Sequence, residues 1–446
     1  MDSNVQSSKG VRTGHCNVEN SPSAPPQTLL NIIIVGAGIA GLALAGIMGS
    51  SGHTVTVLEA APAIGEVGAG IYCSPNLTRL LSRWGLDSYI RKYTDSLTHI
   101  KLRRWEHGEF LGAAPLMPEV EKIHGAPQYV IHRADLHRAL MANAETVAEV
   151  RVNSMVTDVD FEKPCVTLSD GRVLEADLVV GADGMKSICR RLLYLKQGLV
   201  DKPRPTGNAA FRACIPLDVI EDEELRSFMT EPVANRWMGP GRHVQAYPIR
   251  HGKLYNMVMC HPDTGFSEES WTAKASKQEI LDHFGSWDPV RLRKILDYVP
   301  DENVMKWRLC EHEPLHTWVV GNVVLLGDAC HPMLPYVAQG AAQAIEDVAV
   351  LHLALNRISN LGDIPVLLKA YELARKPWAE TIVETGGRHL ARDQKFKAIS
   401  QGGDNPDLLG DAKTHSFLWG HDPEHDFLEN FESLIKQARH LLQSVV

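Results

Sequence analysis

The segment Gly36-Ala-Gly38-Ile-Ala-Gly41 constrains this chain more than any other feature. It follows Leu29-Leu-Asn-Ile-Ile-Ile-Val35, a β-branched apolar run of the kind that makes a central parallel strand. A helical pattern runs on to about Ser51, and Thr54-Val-Thr-Val-Leu58 reads as a second strand with Glu59 at its end. Each residue type answers a physical need. Gly36 permits the tight turn, Gly38 lets backbone approach a pyrophosphate, and Gly41 lets helix pack on strand. The helix N-terminus offers free amides and a positive dipole end to phosphate. Glu59 stands eighteen residues past Gly41, where an acid can accept bonds from ribose hydroxyls. Strand, glycine turn, helix and acid together predict a dinucleotide-binding unit, leaving open which dinucleotide.

Length and charge then narrow the classes. A chain of 446 residues can hold two or three structural units around a large core. A net charge of -9 argues against a nucleic-acid partner, which needs a basic surface. The 8 cysteines are scattered with no C-x-x-C pair, so neither a disulfide framework nor a metal site is expected, and a cytoplasmic setting fits. No charge-free apolar stretch reaches membrane-spanning length. Residues 1–28 are rich in Ser, Asn, Pro and Gly and read as a disordered tail.

Two later segments decide the cofactor. Asp177-Leu-Val-Val-Gly-Ala-Asp183-Gly184-Met-Lys-Ser187-Ile-Cys-Arg190 reads as strand, tight turn and helix start. Val323-Val-Leu-Leu-Gly327-Asp328 is a third strand ending in an acid that suits a polyol hydroxyl, followed by His331 and Pro335. Gln339-Gly340-Ala341 then opens a long helix whose start suits a negative charge.

In this order and spacing the three segments resemble the single-component, group A FAD-dependent aromatic hydroxylases of the para-hydroxybenzoate hydroxylase family. The similarity runs from about Asn31 to Asp422 and is greatest to the fungal, salicylate hydroxylase-like branch. The resemblance implies an α/β chain: a Rossmann-like FAD-binding domain, a mostly antiparallel β-sheet substrate domain and a C-terminal helical segment. The expected boundaries are 29–203 with 319–375 for the first, 96–110 with 204–318 for the second, and 376–446 for the third. It implies non-covalent FAD, NADPH or NADH as reductant, and a small organic substrate and O2 as partners of a monomer or homodimer. Oxygen would be inserted through a flavin C4a-hydroperoxide, in fungal secondary metabolism. Oxidative dearomatisation or epoxidation of a polyketide, alkaloid or terpenoid intermediate is the alternative, and a non-catalytic flavoprotein a more distant one.

By the same resemblance Gly36, Gly38 and Gly41 cradle the pyrophosphate, Glu59 the ribose, and Arg133 the phosphates. Ala69, Gly70, Asp183 and Gly184 are further cofactor contacts, and Asp328 binds the ribityl chain. The Gln339, Gly340 and Ala341 backbone faces the N1/C2 edge of the ring, and Pro335 covers its reactive face. Proline lacks an N–H that could protonate a peroxide prematurely, and helix-start amides can stabilise a reduced, anionic flavin.

The second domain reads as short strands, among them Ile100–Trp105, Ala209–Ile215, His243–Tyr247 and Tyr255–Met259. Arg212 and Tyr247 are the catalytic candidates: an arginine can hold a phenolate or carboxylate, and a tyrosine can bond the same oxygen. Arg212 as a flavin or salt-bridge contact, and Tyr247 as a packed sheet residue, stand beside that reading. His331 reads as a structural neighbour of the cofactor ahead of a general base. The pair His421-Asp422 suggests helix packing. Pro377 is expected to kink or restart the helix begun at Val366, and Gln401–Pro406 reads as a loop.

Overall fold

The computed structural model describes residues 26–63, 68–263, 273–301, 304–394 and 412–444. The expected tail up to residue 25 and the loop at Gln401–Pro406 lie outside the described residues. Order begins before residue 29: Pro26 is buried, and Thr28 Oγ1 donates to the Ser359 carbonyl at 2.6 Å.

The apolar run forms the strand Asn31–Val35, paired in parallel with Leu178–Gly181 on one side and Thr54–Leu58 on the other. Val323–Leu325 lies beyond Leu178–Gly181, also parallel, and Glu149–Arg151 flanks Thr54–Leu58. Val319–Val320 closes the far edge antiparallel. The order explains the composition: these strands are covered on both faces, so they read as continuous hydrophobic runs. Helices Ile39–Ser50, Arg133–Ala144 and Gly340–Leu355 pack on this sheet and share its core.

The second sheet has seven strands, in the order Met305–Glu311, Arg204–Pro216, Leu254–Pro262, Arg242–Ile249, Val233–Gly239, His99–Arg104 and Phe110–Pro115. All its pairings are antiparallel except Val233–Gly239 with His99–Arg104. One face buries Phe211, Ala213, Ile215, Val244, Ala246, Met257 and Met259 against the helices Glu223–Thr230, Lys277–Phe284 and Leu292–Asp297. Since side chains alternate along a strand, Arg212, Cys214, Gln245, Tyr247, Asn256 and Val258 belong to the opposite face.

Of the two outcomes expected at Pro377, a kink or a restart, the restart does not occur. One helix, Ile364–Gln394, runs through it. Pro377 cannot donate to the carbonyl one turn earlier, yet Arg375, Ala379 and Ile382 are fully buried on either side of it, and that packing holds the helix continuous. Helices Ala412–Trp419 and Pro423–Gln443 complete the C-terminal segment. Among the described residues all cysteines are free, and no helix is long and apolar enough to cross a membrane.

Candidate active site

Three turns meet at the C-terminal ends of adjacent parallel strands. The Ala182 amide donates to the Val35 carbonyl at 2.8 Å, and the Leu326 amide to the Gly181 carbonyl at 2.9 Å. Gly36 has φ +102, and a Cβ there would lie 2.6 Å from the Ala182 carbonyl oxygen. A Cβ on Gly41 would lie 2.1 Å from the Gly36 oxygen, so helix and turn are in contact. A Cβ on Gly38 would meet nothing within 4 Å. The one glycine assigned to ligand approach is the one that faces open space.

The first helical bond runs from Leu42 to the Gly38 carbonyl at 3.0 Å, leaving the amides of Ile39, Ala40 and Gly41 without helical acceptors. Glu59 accepts from the amides of Ala37 and Ala61, both at 2.9 Å. A carboxylate has about four lone-pair sites, so room for ribose hydroxyls remains. His137 Nε2 meets the Ala37 carbonyl at 2.6 Å, which sets the Arg133–Ala144 helix against the glycine turn. Arg133 begins that helix, and burial pulls its guanidinium down from its usual range while Asp328 opposes the shift.

Asp328 sits in a short turn, Gly327–Ala329, between the third strand and the Pro335 segment. Burial pushes its carboxyl above the usual range; His331, Arg133 and Arg190 pull the other way. Among the described residues nothing donates a hydrogen bond to this carboxylate. A half-buried carboxylate with no donor, next to a glycine turn, is open to a ligand's hydroxyls. Asp183 is different. Its oxygens take Ser187 Oγ at 2.5 Å and the Cys189 amide at 3.1 Å, so it caps the helix Ile188–Lys196. Gly184 beside it has φ +75, open to solvent on its Cβ side. Arg190 locks the second and third turns together: Nη1 donates to the Asp328 carbonyl at 3.0 Å, Nη2 to the Met185 carbonyl, and Nε to Asp201 at 2.7 Å.

The Pro335–Val337 turn bridges toward the second sheet. Met333 and Val337 pack in one cluster with Tyr72 and Tyr247; Leu334 and Tyr336 pack in another with Trp307 and Cys260. Ala338 follows at φ +51, a strained conformation for a residue with a Cβ, before Gln339 caps the Gly340–Leu355 helix. The amides of Gly340 and Ala341 fall in the first turn, where no helical acceptor exists.

On the facing sheet, Arg212 lies over the Trp307 ring at 4.5 Å, and burial lowers its pKa while Tyr247 counters. Tyr247 is edge-on to Tyr72 at 4.9 Å, and burial pushes its phenol well up. Gln245 Nε2 donates to Tyr72 Oη at 3.2 Å. Arg212 and Tyr247 therefore share the face turned away from the helix-covered core. Ala69 and Gly70 link this sheet to the start of the Arg133–Ala144 helix: the Ala69 carbonyl accepts from the Arg133 amide at 3.0 Å, and the Gly70 amide donates to Asn256 Oδ1 at 2.6 Å. A Cβ on Gly70 would stand 2.9 Å from Tyr247 Oη.

Behind the cradle lies a buried charged network that the sequence did not single out. Arg375 Nε reaches Asp347 and Nη1 reaches Glu346, each at 2.8 Å. Asp347 also pairs with His331 at 2.5 Å. Burial alone would lower the His331 pKa, but Asp347 prevails and raises it. Cys330, His331 and Asp347 are close enough to hold a cation, yet both Asp347 oxygens are already engaged and a cation would face the Arg375 guanidinium. His421 Nδ1 meets Glu346 at 2.9 Å, and Asp422 pairs with Arg83 at 2.5 Å, which accounts for that late pair. The signal was present in Glu346-Asp347, adjacent acids inside an otherwise apolar helix.

A parallel sheet with a glycine cradle, an acid in the turn after its third strand and a facing, mostly antiparallel sheet defines a flavoprotein hydroxylase architecture. The family described as FAD binding domain matches residues 30–386, so the chain belongs to that family and is an FAD-dependent monooxygenase of the group A aromatic hydroxylases. It is 36% identical over 395 residues to the FAD-dependent monooxygenase atnJ of Arthrinium sp, covering 85% of this chain and 91% of that one. Identity to 3-hydroxybenzoate 6-hydroxylase 1 of Aquipseudomonas alcaligenes is 35%, over 77% of this chain and 84% of the relative. Among solved structures, CtdE in complex with FAD and substrate superposes with a TM-score of 0.80 at 24% identity, over 92% of this chain and 100% of that one, a likeness of fold. A salicylate hydroxylase substrate complex superposes with a TM-score of 0.73 at 25% identity, over 89% and 97% of the two chains.

Proposed function

We propose that this enzyme inserts one oxygen atom of O2 into an aromatic or electron-rich small molecule, with NADH or NADPH as reductant. The balance is substrate–H, O2, NAD(P)H and a proton giving substrate–OH, NAD(P)+ and water. The bound flavin supplies electron transfer from the nicotinamide and activation of oxygen, by the route the family resemblance implies. The chain's own residues bind, orient and exclude water. The open space at Gly38 with its free amides holds the pyrophosphate, Glu59 the ribose, and Arg133 the phosphate charge. Asp328, the carboxylate without a donor, takes the ribityl hydroxyls. The Gln339–Ala341 amides face the ring's N1/C2 edge and favour negative charge there. Pro335 closes the reactive face with a residue that has no N–H to give. Asp183, whose oxygens cap a helix, contributes the shape of the second turn, and Gly184 its open side.

The observation that carries this reading is the shared face of Arg212 and Tyr247, opposite the Pro335–Gln339 turn. A buried guanidinium on an aromatic wall, beside a protonated phenol, suits a phenolate or aromatic carboxylate. Ionising a phenol enriches its ortho and para carbons, which favours attack on an electrophilic oxygen. The hydroxybenzoate and hydroxynicotinate monooxygenases among the relatives are named for such ring substrates. A cytoplasmic place in fungal secondary metabolism belongs to the same proposal, supported by the monooxygenases of Arthrinium sp and Beauveria bassiana.

The test is NADH and NADPH oxidation by the FAD-loaded protein, with and without a panel of phenols and aromatic acids under labelled O2. At least one compound should accelerate oxidation and gain one labelled oxygen. Oxidation indifferent to every compound, with hydrogen peroxide as the sole oxygen product, contradicts the proposal.

A further inference from the structure

The Gly327-Asp328 turn and the Gln339-Gly340 helix start lie on separate stretches of chain, yet both are fastened from behind to one side chain. Arg375, on the Ile364–Gln394 helix, has a side chain 1% exposed. Its Nε donates to Asp347 Oδ1, Nη1 to Glu346 Oε2, and Nη2 to Gln343 Oε1, all at 2.8 Å. From Asp347 one step leads to the first turn: Oδ2 accepts the Gly327 amide at 3.0 Å. From Glu346 two steps lead to the second: Oε1 accepts Asn76 Nδ2 at 2.6 Å, and the same nitrogen donates to Gln339 Oε1 at 3.0 Å. Gln339 Nε2 in turn donates to Ser74 Oγ at 3.2 Å.

Both carboxylates are fully buried, and their chain neighbours in the helix are apolar. Two adjacent buried acids repel, and only a planar, forked cation can meet both with separate, aligned donors. His331 and His421 complete the charge balance from either side, on Asp347 and Glu346. The arrangement fixes the distance between the two turns, because each acid is held to one turn and to the same guanidinium.

We propose that Arg375 is a positioning residue for the flavin, and that its grip on Glu346 and Asp347 sets the placement of the ribityl-binding turn relative to the ring-facing helix start. This rests on the FAD placement proposed above and on no part of the oxygen chemistry. A guanidinium serving only as a core ion pair would change stability and leave flavin properties alone; a positioning role changes both.

The experiment compares Arg375→Lys with the parent by FAD titration, by the reduction potential of the bound flavin, and by thermal unfolding. Leu434→Ala, a core truncation on the Pro423–Gln443 helix, is the stability control. Lysine keeps the charge and loses the fork. Arg375→Lys should bind FAD at least tenfold more weakly, about 1.4 kcal/mol, and shift the potential, while Leu434→Ala loses stability with FAD affinity near the parent's. FAD affinity within twofold of the parent and an unchanged potential for Arg375→Lys overturn the proposal, as does equal weakening by Leu434→Ala. Should Arg375→Lys fail to fold, Asn76→Ala breaks the branch to Gln339 alone, and Glu346→Gln removes the charge that Arg375 and His421 meet on that branch. Weaker FAD binding with a shifted potential in both supports the proposal, and parity in both overturns it. A parent protein that binds no FAD sinks the cofactor placement as well; parity between parent and variants sinks this inference alone.

Discussion

At the scale of single residues, the site is defined by what its polar groups lack and what they already have. The Asp328 carboxylate is half-buried, feels the Arg133 charge and accepts no hydrogen bond from the described residues. Asp328→Ala should therefore weaken FAD binding roughly ten- to a hundredfold, the worth of about 1.5–3 kcal/mol for a hydrogen bond to a charged group. Equilibrium dialysis measures it, and unchanged affinity would show that the ribityl chain lies elsewhere. Arg212 sits on Trp307 with its charge disfavoured by burial, and it gains from an anionic partner. Arg212→Ala should retain flavin and lose at least tenfold in coupled oxygenation, about 1.4 kcal/mol; product formation within twofold of the parent would remove Arg212 from substrate binding. Asp183 differs in what it already holds: its oxygens accept from Ser187 Oγ and the Cys189 amide, which ties the second turn to the helix Ile188–Lys196.

At the scale of elements, the strand–turn–helix units were legible because their chemistry is local: a β-branched run, glycines where a Cβ would strike the Gly36 or Ala182 oxygen, and an acid one strand later. The second sheet was legible in part. Arg204–Pro216 and Leu254–Pro262 alternate across a helix-covered and a cofactor-side face, so their period shows. Val233–Gly239 is buried at six of its seven positions, so no period-2 signal exists, and its parallel pairing with His99–Arg104 depends on residues far away in sequence. The same holds for the helix through Pro377, where tertiary packing overrides a local rule. Helix–helix contact also carries a pH dependence. His352 Nε2, on the Gly340–Leu355 helix, lies 2.9 Å from Ser51 Oγ, just past the end of the first helix, and 2.8 Å from Asn356 Nδ2. Burial first, then His53, lower its pKa to about 4. The folded value lies below the unfolded one of 6.5, so its contribution is complete above pH 6.5 and is lost as pH falls toward 4. His352→Gln should remove close to one proton from the pH 4–6.5 dependence of unfolding, read from denaturant titrations; an unaltered slope would mean that His352 is protonated in the folded state.

At the scale of the whole molecule, two sheets meet across a seam that contains the chemistry, and the C-terminal helices hold the seam from behind. The Gly70 amide on Asn256 and the Ala69 carbonyl on the Arg133 amide tie the second sheet to the Arg133–Ala144 helix. His421 on Glu346 carries the last helices onto the Gly340–Leu355 helix, and Arg83 on Asp422 and Glu424 ties them to the helix Pro75–Arg83. Families of fold were readable from three motifs in order; of the network joining Arg375, Glu346 and Asp347 only the adjacent acids left a signal, because a buried arginine has no periodic or compositional mark that separates it from a surface one. The account stands on one flavin lying across three strand ends. Electron density for a crystal of the FAD-loaded protein tests it most directly. Pyrophosphate oxygens within hydrogen-bond reach of the first-turn amides after Gly38, ribityl hydroxyls on Asp328 and the ring between Pro335 and the Arg212–Tyr247 face are the predicted result; a flavin bound away from Asp328, or with its ring outside the seam between the sheets, would contradict it.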